Sequence, residues 1–105
     1  MKELEILRGA TNTLDFEIPC DASNVSKINV YFGQDDDYLF MKATTECELD
    51  GTKAKVKLTR EETLKFTHRK LAQVQCFIET KAGETIGCKV ADAKVLKAIY
   101  DGDLI

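Results

Sequence analysis

The sequence predicts an all-β domain, a two-sheet antiparallel sandwich of about seven strands with one short helix near residues 60–66. Three observations lead there. Apolar and polar residues alternate with a period of two, most clearly in Thr13-Leu14-Asp15-Phe16-Glu17-Ile18. Turn chemistry separates such stretches, at Asp21-Ala22-Ser23-Asn24, Asp50-Gly51 and Ala82-Gly83. Only the segment opening at Thr59 carries a helix-start signal. With 105 residues and 44% hydrophobic content the chain has material for one core, so residues 1–105 are expected to form a single domain.

Taken in order, Leu4-Glu5-Ile6-Leu7 reads as a short strand and Arg8-Gly9-Ala10 as a turn or strand switch. Thr13–Ile18 puts Leu14, Phe16 and Ile18 on one face, and Pro19 ends the strand by removing a ladder donor. Ile28, Val30 and Phe32 then alternate with Lys27, Asn29 and Tyr31. A loop is expected over Gly33-Gln34-Asp35-Asp36-Asp37, followed by a strand from Tyr38 to Ala43. Cys47-Glu48-Leu49, Asp50-Gly51 and Ala54-Lys55-Val56-Lys57-Leu58 form a hairpin pattern, the glycine accepting the positive φ of its turn. Ala54, Val56 and Leu58 should face inward and Lys53, Lys55 and Lys57 outward. Thr59-Arg60-Glu61-Glu62 is a capping-box pattern opening a helix to about Phe66, with Leu64 as its expected anchor.

In the last hairpin Val74, Cys76 and Ile78 alternate with Gln73, Gln75 and Phe77, and Ile86, Cys88 and Val90 alternate with Gly87 and Lys89. The inward sets oppose one another only if 78 pairs with 86 and 76 with 88, which demands an odd-length loop. A three-residue loop with Gly83 in the left-handed position meets that demand. Cys76 and Cys88 then become direct neighbours. They read as a packed thiol pair; the alternative is a cross-strand disulfide, which such a position strains. Lys94–Tyr100 either prolongs the last strand or forms a helical turn, and Asp101-Gly102-Asp103 reads as a turn.

Fifteen basic against eighteen acidic residues give a formal charge of −3, with no dense basic patch, so no nucleic-acid partner is expected. No apolar run approaches the ~20 residues of a membrane span, and the amino terminus lacks the apolar stretch of a signal peptide. Cys20, Cys47, Cys76 and Cys88 include no C-x-x-C pair, and His68 lies eight residues from the nearest cysteine, so no metal is expected. Free thiols in a reducing compartment are the corresponding expectation. Asp35-Asp36-Asp37 is a consecutive run without the alternate spacing of a calcium loop. His68 is the only histidine available as a general base, and no nucleophile elbow or phosphate loop accompanies it. No enzyme, catalytic residue or cofactor is therefore expected. Tyr31, Phe77 and Tyr38 fall on the parity opposite to the core, so with the Asp35–Asp37 loop, Ile99 and Tyr100 they are the candidate interaction surface.

Several segments carry a resemblance. Leu7-Arg8-Gly9-Ala10-Thr11-Asn12-Thr13-Leu14-Asp15-Phe16, Leu58-Thr59-Arg60-Glu61-Glu62-Thr63-Leu64-Lys65-Phe66, Val74-Gln75-Cys76-Phe77-Ile78-Glu79-Thr80-Lys81-Ala82-Gly83 and Val95-Leu96-Lys97-Ala98 resemble small proteins from the structural-gene clusters of phages and prophages of Gram-positive bacteria. The chain is similar also to the amino-terminal Ig-like module of phage baseplate upper proteins. The resemblance implies an Ig-like sandwich without enzymatic activity, working in a virion or in the cytoplasm of a bacterial host. Its partners would be copies of itself or another phage structural protein of the tail or baseplate. A carbohydrate- or cell-surface-binding module is the alternative expectation, with its ligand at loops on one end of the sandwich.

Overall fold

The computed structural model describes residues 4–67 and 70–96 and turns the two-residue alternation into two stacked sheets. Its strands are β1 (Leu4–Leu7), β2 (Asn12–Glu17), β3 (Val25–Gln34), β4 (Asp37–Lys42), β5 (Cys47–Asp50), β6 (Lys53–Leu58), β7 (Leu71–Thr80) and β8 (Thr85–Leu96). One sheet runs β1-β8-β7-β3-β4 and the other β2-β6-β5. With the strands lettered as in immunoglobulin domains, this sets G-F-C-C′ against B-E-D, so the all-β sandwich is Ig-like in strand order. One pairing departs from the antiparallel expectation. β1 runs parallel to β8, with Leu4 opposite Ala93 and Leu7 opposite Leu96.

The Arg8–Ala10 turn produces that departure by sending β1 to one sheet and β2 to the other. Gly9 adopts φ 86°, a region open to glycine, and its N–H donates to Thr63 Oγ1 at 3.1 Å. Arg8 N–H donates to Leu96 O at 3.1 Å, while its Nε donates to Phe66 O at 2.9 Å. The strand switch is thus tied both to the last strand and to the segment after the helix.

Leu14, Phe16, Val56 and Leu58 of the smaller sheet face Ile28, Val30, Phe32, Val74 and Ile78 of the larger, all buried. Each such side chain contributes about 1.5–3 kcal/mol by leaving water. Phe32 and Phe40 sit opposite in register and stack at 4.8 Å, and Phe66 meets both rings edge-on at 6.5 and 5.6 Å. The helix α1 is shorter than expected, Arg60–Thr63, with turns carrying the chain to Phe66. Its capping box is present: Glu62 N donates to Thr59 Oγ1 at 3.2 Å and Thr59 N to Glu62 Oε1 at 2.8 Å. Leu64 is only half-buried; Thr63 and Phe66 are the residues that anchor the segment. The reason is geometric, because one helical turn can present only one side to the core, and the following turn swings Phe66 into it.

Two hairpins depart in detail from expectation. Asp50 pairs with Lys53, so Gly51 (φ 59°) and Thr52 form the turn and Asp50 still belongs to the strand. The segment Gly33–Asp37, expected as a loop, is mostly strand: Gln34 pairs with Asp37, leaving Asp35-Asp36 as a two-residue turn. Elsewhere the register follows expectation, with Ile78 opposite Ile86, Cys76 opposite Cys88, and Gly83 at φ 91°. Thr80 N donates to Glu84 O at 2.8 Å, closing the three-residue loop. Beyond that, Gln75 pairs with Lys89 but Val74 with Ala91, so Val90 is the extra residue of a bulge. The bulge switches parity, which is why Ala93 and Val95 are the buried residues further along β8. β8 extends to Leu96; His68, Ile99, Tyr100 and the Asp101–Asp103 turn lie outside the described residues.

A charged group also enters the core rim. Lys42 on β4 is 5% exposed, and its Nζ lies 2.6 Å from Glu62 and 3.6 Å from Glu46. Burial alone would raise the Glu62 pKa, but hydrogen bonds from Lys42 and Thr59, with the Lys42 charge, bring it below the usual value.

Candidate functional site

The two-residue turn between β3 and β4 organises the candidate surface. Asp35 and Asp36 have φ of 53° and 65°, a left-handed geometry that aspartate tolerates better than most side chains. Just before them, Gly33 lies so close to β4 that a Cβ would meet Asp37 O at 2.7 Å. Leu39 is the extra residue of a bulge here, since Gly33 pairs with Tyr38 and Phe32 with Phe40. The bulge keeps Phe40 in the core while aiming Tyr38 outward, where it is 64% exposed.

The turn is held from the other side by Gln34, which points inward and is buried. Its Nε2 donates to Thr67 O at 2.7 Å and Lys70 O at 3.1 Å, and its Oε1 accepts from Thr67 N at 2.7 Å. This clamps the entrance of β7 against the end of β3. It also sets Lys70 beside Asp35, whose carboxylate raises the Lys70 pKa by hydrogen bonding and by charge. The pair is exposed and adds little to stability.

On the outer face of the five-stranded sheet, diagonal neighbours bring the rings together. Tyr31 of β3 contacts Phe77 of β7 edge-on at 5.6 Å and lies tilted against Tyr38 of β4 at 6.3 Å. Asn29 Nδ2 donates to Tyr31 Oη at 3.2 Å, fixing the ring's direction. Phe77 lies over Gly87, its partner on β8, where an added Cβ would come within 2.6 Å of the ring. These rings border an open groove of about 460 Å³, with Gln73 and Gln75 of β7 beneath and Asp36 and Asp37 at its rim.

Of the surface expected from sequence, Tyr31, Asp36, Asp37, Tyr38 and Phe77 therefore meet around one groove. Asp35 belongs to the same turn but engages Lys70 instead. Gln73 and Gln75 also line the groove and Gly87 lies beneath Phe77; none of the three stands out in the sequence, although their parity on the last hairpin is that of Phe77. Gln34 carries no such signal, because Gly33–Asp37 predicts a loop.

Among the described residues, no group of three or more His, Cys, Asp or Glu side chains is arranged to hold a metal ion. The four cysteines are free: Cys76 is buried, whereas Cys20, Cys47 and Cys88 are half-buried. Burial, assisted by the adjacent Glu46 charge, pushes the Cys47 thiol up to about 11. Burial and the neighbouring Cys88 push Cys76 up to about 12. Among the described residues no helix is long and apolar enough to cross a membrane. Comparison of the chain with protein-family models and with curated protein sequences finds no match.

Proposed function

We propose that this chain is a non-enzymatic structural or assembly module of a phage or prophage, docking through the outer face of its five-stranded sheet. Its partner would be a second copy or a neighbouring tail or baseplate protein, in the virion or in the host cytoplasm. The observation that carries the reading is an asymmetry between the two outer faces. Among the described residues, the exposed large apolar side chains are Leu7, Tyr38, Leu71 and Phe77, and all four stand on the five-stranded sheet. The three-stranded sheet instead presents Lys53, Lys55 and Lys57, each opposite an acidic residue or threonine of a neighbouring strand. Exposed apolar side chains confined to one face suit association, whereas the paired charges of the other face suit water. The sequence resemblance supplies the phage context. Sedimentation equilibrium and recovery in induced phage particles test the proposal together. Association by either route, weakened by a Tyr38→Ser/Phe77→Ser double variant that keeps its β-sheet spectrum, is the expected result; a strict monomer at high concentration that never enters particles overturns it.

One observation favours a second reading, a carbohydrate-binding module. The groove combines three aromatic rings with two amides and two carboxylates, a set able to stack on sugar rings and bind their hydroxyls. A glycan array probed with and without calcium checks it, and silence in both conditions removes it.

A further inference from the structure

We propose that Cys76 and Cys88 form an oxidisable dithiol, which a low-molecular-weight disulfide such as oxidised glutathione converts to a reversible cross-strand disulfide in the β7–β8 hairpin. The inference does not depend on the docking reading. Its basis is register. Cys76 and Cys88 are directly opposite, and the Cα atoms of such antiparallel pairs lie about 4.5–5.5 Å apart, within the disulfide window. Their sulfurs are already 3.2 Å from one another, and both thiols are free. Side-chain rotation over about 1 Å closes the remaining gap to bonding distance.

Exposure sets the order of events. Cys88 is half-buried and Cys76 fully buried, so Cys88 meets the reagent first. Its thiolate attacks one sulfur of the small disulfide, that S–S bond breaks, and the departing thiolate takes the proton Cys88 released. Cys76 then gives up its proton and attacks the Cys88 sulfur of the mixed disulfide. The second small thiolate leaves and takes that proton. Two protein thiols are oxidised and one small disulfide is reduced to two thiols. Burial keeps the Cys76 proton tightly held, but the second step is intramolecular and the proximity of the two sulfurs compensates. Cys20 and Cys47 are also free and pack against the same core, so they are the competing partners.

The chain's own lysines make the test clean. Cleavage after Lys70, Lys81 and Lys89 puts Cys76 and Cys88 in separate tryptic peptides, and Cys20 and Cys47 fall in two others. The folded protein is incubated with oxidised glutathione, alkylated with iodoacetamide, digested without reductant and mapped by mass spectrometry. A linked pair of peptides 71–81 and 82–89, lighter by two hydrogens and separated by dithiothreitol, is expected. The Cys76→Ser variant should instead retain a stable glutathione adduct on Cys88. A lasting adduct on Cys88 of the unaltered chain overturns the proposal. So does a bridge involving Cys20 or Cys47, or no reaction while the urea-unfolded chain reacts. If Cys76→Ser does not fold, Cys88→Ser serves, because abolition of the bridge without any new adduct on Cys76 is then expected, and a Cys76 adduct counts against the ordered mechanism.

Discussion

Replacing Gln34 with alanine removes the side chain that joins the end of β3 to the entrance of β7. Three hydrogen bonds are lost, at 2.7, 3.1 and 2.7 Å, two donated to Thr67 O and Lys70 O and one accepted from Thr67 N. At about 1 kcal/mol net for each bond, the loss comes to about 3 kcal/mol. The abandoned backbone groups belong to exposed residues, so water can reach them and no large extra desolvation cost is added. For a domain of this size, the loss corresponds to a fall in Tm of about 12–24 °C. Urea unfolding followed by circular dichroism reads the stability, and hydrogen exchange at the Thr67 amide reads the clamp itself. A Gln34→Glu variant sharpens the test. Its buried carboxylate would face two carbonyl oxygens, which raises its folded-state pKa, so its stability deficit should grow as pH rises through that pKa and shrink on acidification. A loss in Gln34→Ala below about 1 kcal/mol, with Thr67 still protected, would refute the clamp.

Three further outcomes are expected. The depressed Glu62 pKa means that the folded state holds its proton less tightly than the unfolded chain does. The stabilisation is therefore present above the unfolded value, near 4.5, and is lost as pH falls through the lower folded value, so acid titrations of stability should steepen below 4.5. Lys42→Met should flatten that dependence and cost about 2 kcal/mol at neutral pH, less than the 3–5 typical of a fully buried broken pair because Glu62 and Glu46 keep contact with water; chemical unfolding across a pH series measures both. Gly83→Ala, at φ 91° in open space, should cost about 1 kcal/mol through backbone conformation alone. Gly87→Ala strikes the Phe77 ring instead, and near-ultraviolet circular dichroism should register the displaced ring while the far-ultraviolet spectrum stays unchanged.

The sequence by itself determined most of the strands, the inward residues of Thr13–Ile18, Ile28–Phe32, Ala54–Leu58 and Val74–Ile78, and the hairpin register that opposes Cys76 and Cys88. All of these follow from a side-chain period of two and from turns whose geometry depends on a few neighbouring residues. It also announced the capping box at Thr59 and Glu62, whose members lie within one helical turn. Other features required partners distant along the chain. Nothing near Leu4–Leu7 says that it will lie parallel to β8, because that depends on which sheet edge is open once the remaining strands have paired. The Gly33–Asp37 segment looked like a loop from its polar composition, yet Gln34 is polar for an inward reason: two backbone carbonyls and an amide from residues 67 and 70 await it there. Lys42 is likewise buried at the rim of the core only because Glu62 and Glu46 stand beside it. Parity alone placed Tyr31 and Phe77 on the outer side, whereas Tyr38, two residues from the buried Phe40, owes its outward position to the bulge. That they touch, and that two aspartates and two glutamines share their groove, was decided by a bulge at Leu39 and by strand order, because each depends on pairings between segments far apart in sequence.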